Sequence, residues 1–256
     1  MHLPEELICG NYYHIYNRGI NSCNLFRETA NYQHFLALFE KYISHIAEIF
    51  AWVLMPNHFH CLVKIRENMV YKYSIADKTL DSKWFEEHKW ETIYVPTDQL
   101  AFPDLSACAA PDSVWKKENE NIYENKSSHT TPPPENPKTP KPHLHFSHLF
   151  NAYSKYFNNL YDRHGALFER PFDRKMVDNE AYLKKVIVYI HNNPVHHGFC
   201  AHTEDYPWSS YLSFLNENPT NLQREKVIAL FGDVTNFILM HQKKTGNEDV
   251  EDWLGI

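Results

Sequence analysis

The sequence predicts an α+β fold in which helices pack on an antiparallel sheet. Three observations carry this reading: two short apolar runs separated by Pro56-Asn57, amphipathic stretches of helical period before and after them, and a further strand-like segment between the later helices. The 256 residues are 43% hydrophobic, enough to bury a core without covalent staples. The five cysteines are scattered and odd in number, which argues against a disulfide framework.

The elements follow in order. Residues 11 to 18, NYYHIYNR, mix aromatic and β-branched residues and stop at Gly19, as a first strand closed by a turn would. From Glu28 to about Ile49, Phe35, Leu38, Phe39, Tyr42, Ile43 and Ile46 recur at spacings of three and four, the face of a helix. Phe50 to Met55 is an apolar strand, and His58 to Ile65 is a second strand after the interruption at Pro56-Asn57. A further helix carries Phe146, Leu149, Phe150, Tyr153, Tyr156, Phe157 and Leu160, with Ser147 as its candidate cap and an end near Gly165. Ala166 to Val177 fits a loop and strand. Asp178 or Asn179 then caps a helix that should stop at Asn193-Pro194, because proline disfavours helical geometry in the residue before it. Another helix is expected around Arg224 to Phe231.

Residues 1-220 are therefore expected to form the functional domain, interrupted by an insertion at about 70-143, with 221-256 as a C-terminal helical extension. The insertion contains the run Pro132-Pro133-Pro134, Pro137, Pro140 and Pro142, which reads as a partly flexible linker. Residues 67 to 143, which contain the insertion, hold 13 acidic and 9 basic residues and so account for -4 of the net charge of -7. The remainder is near neutral and leaves room for a local basic groove. No segment approaches the roughly 18 continuous apolar residues of a membrane span. The N-terminus lacks a basic flank followed by an apolar core, so a cytoplasmic protein is expected.

Two constellations could carry chemistry. On a strand, alternate side chains share a face, so His58 and His60 project together while Phe59 and Cys61 point away. Their Cα atoms would lie about 6.6 Å apart at roughly 3.3 Å per residue, within reach of one cation. For a bare His-x-His, two imidazoles that merely face solvent or a neighbouring helix are the blander explanation. On the helix before Pro194, Leu183, Val186, Ile187 and Ile190 form the apolar stripe. Tyr182, Lys185, Tyr189 and Asn193 form a second line at helical spacing. A phenol thus lies one turn from an amide oxygen, although packing of Tyr189 on the sheet and capping by Asn193 would also explain the pattern. His191 turns away from this line. His143, His145, His196 and His197 lack partners at structural-zinc spacing and are expected to be linker or loop residues. Seven glycines leave no phosphate-binding glycine loop.

Taken together, the blocks YYHIYNRG (12 to 19), MPNHFHCLVKI (55 to 65), GALFERPF (165 to 172), YIHNNPVHHGF (189 to 199) and DYPWSSY (205 to 211) resemble the REP-associated tyrosine transposases and related single-tyrosine insertion-sequence transposases. The resemblance implies a ferredoxin-like or RRM-like antiparallel sheet with helices packed on it, the HUH endonuclease core. It implies Tyr189 as nucleophile, His58 and His60 as metal ligands and Asn193 as the third ligand. The family commonly places Gln at that last position. It further implies a divalent metal, Mg or Mn, single-stranded or hairpin DNA as partner, and a monomer or homodimer. Lys155, Arg163, Arg170, Arg174, Lys184 and Lys185 are candidates for phosphate contacts. Tyr12, Tyr16 and Trp208 could stack on bases, or pack in the core. Two alternatives stay open: a domesticated, non-catalytic hairpin-DNA-binding protein, and a metal-dependent hydrolase in which Tyr189 is only structural.

Overall fold

The computed structural model describes residues 5–79, 81–96 and 137–243, together with residues 250 and 253. The chain runs through β1 (Tyr12–Arg18), α1 (Thr29–Ile43), β2 (Ala47–Met55), β3 (His58–Ile65), β4 (Met69–Tyr71), α2 (Ser82–His88) and β5 (Thr92–Tyr94). It continues through α3 (Pro142–Leu160), β6 (Asp173–Val177), α4 (Glu180–His196), α5 (Arg224–Phe231) and α6 (Val234–Gln242). The main sheet has the order β2-β3-β1-β6, and every neighbouring pair is antiparallel. Leaving out the β4–β5 hairpin with α2, the path is βαββαβ, the ferredoxin-like arrangement. The expected α+β class and its sheet are therefore present.

Strand alternation divides the core. Tyr13, Ile15, Phe59, Cys61 and Val63 point to one face and pack with Phe35 and Phe39 of α1 and with Phe146, Phe150 and Tyr153 of α3. The other face carries Val53 and Leu62, which pack with Val186, Ile187 and Ile190 of α4 and with Val227, Phe231 and Phe237 of α5 and α6. A bulge between Ile49 and Ala51 in β2 leaves Phe50 unpaired, so Phe50 and Ala51 both join this second cluster. Residues of 221-256 thus share a core with α4.

Element boundaries differ from expectation in three places. α1 ends at Ile43 rather than near Ile49: a turn closes with Ile46 N–H donating to Ile43 O, and Ala47 already pairs with Ile65. Ile46 happens to continue the helical period across that turn. α3 begins earlier, with Pro142 in its first turn, where a missing N–H costs nothing. Ser147 lies inside it and donates back to His143 O instead of capping. α4 runs through Pro194 to His196. Close to a C-terminus, proline forfeits only its own intrahelical bond, and the end closes through His197 N to Asn193 O and Phe199 N to Pro194 O, with Gly198 at φ 72. Asn179, of the two candidates, caps α4, accepting from Tyr182 N at 2.9 Å.

Within 70-143, β4 and β5 form a two-stranded sheet. The remaining expectations for residues 97–136, including Pro132-Pro133-Pro134, lie outside the described residues. His145 is not a linker residue. It is fully buried in α3, its Nδ1–H donates to Tyr42 O at 2.8 Å, and its Nε2 accepts from the Tyr71 hydroxyl at 2.7 Å. No described helix is long and apolar enough to cross a membrane.

Candidate functional site

The candidate site lies between β3, β1 and α4. Because β3 places Phe59 in the α1/α3 core, His58 and His60 necessarily face α4. Register then sets their neighbours: on β1, Arg18 is opposite His58, Tyr16 is opposite His60, and His14 follows on the same face opposite Leu62. From His14 the ring reaches diagonally, Nε2 lying 3.0 Å from His60 Nδ1 with the two rings parallel within 3°.

α4 supplies the other half. Leu183, Val186, Ile187 and Ile190 are buried, as the apolar stripe requires. Tyr189 and Asn193, on the adjoining line, are also buried, and they cover the histidines. The Tyr189 ring stands nearly perpendicular to His60 and His14, with centroids 5.6 and 6.1 Å away. One turn later, Asn193 Oδ1 lies 3.4 Å from His58 Nε2. His58 Nδ1–H donates to Asn57 Oδ1 at 2.7 Å, which leaves Nε2 with a lone pair directed at the amide. His191 faces away, as its position in the helix predicts. It bonds to His241 and Ser210 in the core instead.

Burial dominates the electrostatics. It lowers His58 to about 4, with further lowering by His197, and drives His60 well below its ordinary value, assisted by His14, His58 and His197. Both imidazoles are therefore neutral near pH 7, the form that can ligate a cation. Burial, then Asp173 and Tyr189, pushes the Tyr16 phenol up to about 12, so it remains an O–H donor.

The donor set fits a divalent cation. Asn193 Nδ2 is buried without a hydrogen-bond partner, and its Oδ1 confronts the His58 lone pair. A cation between them would relieve that opposition, as would a rotated amide. Among the described residues no three His, Cys, Asp or Glu side chains converge at metal-ligand spacing. A metal here would thus rest on His58, His60 and the Asn193 amide, with water completing its shell. Two imidazoles and a neutral oxygen suit Mn²⁺ somewhat better than Mg²⁺.

Exposure rises toward the His58 end. His14, His60, Tyr189 and Asn193 are buried, His58 is half-buried, and Arg18 and His197 are exposed. His196 ends α4 and is not the loop residue expected, whereas His197 is in the turn that caps the helix, with its ring centroid 5.2 Å from that of His58. Its signal was the spacing of eight from Tyr189, a second helical repeat of the same line. His14 carried only its alternation with Tyr16 on a strand of unknown register.

The basic candidates are dispersed. Lys184 and Lys185 ride on α4. Lys184 pairs with Glu180 at 2.7 Å, and Lys185, one turn before Tyr189, lies over the Tyr182 ring. Lys155 is on α3 and Arg163 follows it, stacked over Phe157, while Arg170 bonds Asn151 of α3. Arg174 sits opposite Ile15 and stacks on Phe172, so it points to the sheet face away from His60. Of the aromatic candidates, Trp208 stacks on Tyr32 at 4.4 Å and Tyr12 abuts Phe50, whereas Tyr16 lies beside His60.

No family model and no curated protein sequence matches the chain. Among solved structures, it is similar to one titled as a REP-associated tyrosine transposase bound to a REP hairpin. The identity is 16% and the TM-score 0.46, covering 84% of this chain and 85% of the other.

Proposed function

We propose that this chain is a single-stranded DNA strand transferase that cleaves and rejoins DNA through a 5'-phosphotyrosine. The observation that carries the reading is the convergence of Tyr189, His60, His58 and Asn193 from β3 and α4. A phenol beside two neutral imidazoles and an amide oxygen supplies a nucleophile and a cation-binding set in one place.

The Tyr189 oxygen attacks the scissile phosphate, forming the P–O bond to tyrosine as the P–O3' bond breaks and a 3'-OH departs. The phenol proton is released to solvent or a base at the site, and a proton is taken up by the leaving 3' oxygen. A second 3'-OH reverses the attack, rejoining strands without ATP because the phosphodiester bond count is conserved. His58, His60 and Asn193 would hold Mg²⁺ or Mn²⁺, which supplies charge stabilisation at the phosphate. Tyr16, held protonated, can donate to a phosphate oxygen. Lys185 is the basic candidate in line with Tyr189. The partner is single-stranded or hairpin DNA, and the working unit a monomer or homodimer.

A second reading, a non-catalytic hairpin-DNA-binding protein, is favoured by the burial of Tyr189, which is only 3% exposed. The test incubates the chain with labelled single-stranded DNA containing a hairpin from its own genomic flanks, plus Mn²⁺. A denaturation-resistant adduct is expected from the native chain and none from Tyr189→Phe. Binding without an adduct would establish the second reading. Cleavage that survives Tyr189→Phe would make the protein a metal-dependent hydrolase.

A further inference from the structure

We infer that His14 is a positioning residue for His60, holding the His60 ring in the tautomer that presents Nε2 to a cation. This rests on the reading of His58, His60 and Asn193 as metal ligands.

The five fully or nearly fully buried histidines fall into two kinds. His145, His191 and His241 have a hydrogen-bond partner at every ring nitrogen: His145 between Tyr42 and Tyr71, His191 between His241 and Ser210, His241 between His191 and Phe237. These three are satisfied core groups. His14 is different. It is fully buried and its Nε2 meets His60 Nδ1 at 3.0 Å, but its Nδ1 is buried without a partner. An unsatisfied buried polar atom destabilises the fold. An apolar residue at position 14 would remove that nitrogen but leave the buried His60 Nδ1 without its partner, so what the histidine contributes there is a partner for His60.

The proton positions show what His14 provides. If His14 Nε2–H donates to His60 Nδ1, then neutral His60 carries its own proton on Nε2 and cannot ligate through that atom. If His60 Nδ1–H donates to His14 Nε2, His60 Nε2 is bare. Only the second arrangement is competent for metal, and it requires an acceptor at the place where His14 Nε2 lies. Metal-bound histidines generally donate their remaining N–H to such an acceptor, usually a carboxylate, carbonyl or water. Here the acceptor is a neutral imidazole fixed by the β1–β3 register. His14 acts through His60 and is covered from solvent.

The test compares Mn²⁺ affinity, by titration calorimetry on the full chain, for the native protein, His14→Gln and His14→Met. Gln and Met have similar length, but only Gln offers an oxygen acceptor at the reach of the ring Nε2. The expected result is a loss of affinity of about 10- to 100-fold in His14→Met and near-native affinity in His14→Gln. Melting in chelator separates positioning from folding: His14→Met exchanges one unpaired buried nitrogen, His14 Nδ1, for another, His60 Nδ1, so its Tm in chelator should stay close to that of the native chain. Equal affinities in all three proteins overturn the inference. So does equal weakening in Gln and Met accompanied by a lower Tm in chelator, which would make His14 structural. If the native chain binds no Mn²⁺, the metal-site reading fails and this inference fails with it.

Discussion

His58 Nε2 and Asn193 Oδ1 face each other at 3.4 Å across 135 residues of sequence. His58 Nδ1–H is already committed to Asn57, so a lone pair on each side meets in this contact, and Asn193 Nδ2 has no partner to anchor the amide. Asn193→Asp adds a charge to the donor set and should tighten Mn²⁺ binding about tenfold, whereas Asn193→Leu should weaken it by a similar factor. In chelator the order of stability reverses, since a buried carboxylate is costly and a buried leucine is not. Calorimetric affinities that are the same for both variants would remove Asn193 from the ligand set.

α4 is pinned from behind by a chain of hydrogen bonds whose direction is fully determined. His241 Nδ1–H must donate to the Phe237 carbonyl at 2.7 Å, so His241 Nε2 accepts from His191 Nδ1–H at 2.9 Å. His191 Nε2 therefore accepts from Ser210 Oγ–H, and Ser210 Oγ accepts from Trp52 N–H. His241→Leu leaves the His191 N–H buried and unpaired, a loss of about 1–3 kcal/mol. Urea unfolding should register it, and an unchanged midpoint would mean that α6 does not hold the tyrosine helix.

Phe237 tests the same packing without a polar group. It is fully buried and its ring centroid lies 4.2 to 6.0 Å from those of His191, Tyr211, Phe214, Phe231 and His241. Phe237→Ala should destabilise the whole domain by about 3–5 kcal/mol in a single transition. A separate early transition for the C-terminal helices would show instead that they fold independently of α4.

These residues also mark what could be read in advance. The common direction of His58 and His60 was legible because strand alternation is local, and the Tyr189–Asn193 turn because helical spacing is local. That the two constellations meet is a long-range fact. So is the placement of His14 beside His60, which depends on register between strands more than forty residues apart. His145 was misplaced because a Pro-rich approach resembles a linker until Pro142 is recognised as opening α3. Pro194 misled in the other direction, since its cost depends on how near the helix is to ending.

Acid should unfold the protein earlier than its carboxylates alone would dictate. Burial lowers His14 to about 3 and His58, His145 and His241 to about 4, against an ordinary value of 6.5 that the unfolded chain regains. Between those values the unfolded state binds protons that the folded state refuses. Stability therefore rises with pH through this window. It is fully present above about pH 6.5 and is lost as pH falls toward 4. Each histidine that titrates completely only on unfolding contributes up to about 1.4 kcal/mol per pH unit. Urea midpoints at pH 7, 6 and 5 in the presence of chelator should fall progressively. The slope should be smaller in His145→Phe, which removes one of these groups at the cost of its bonds to Tyr42 and Tyr71. Midpoints that stay level between pH 7 and 5 would mean that these rings are solvated in the native protein, and the buried histidine face of the sheet would have to be abandoned.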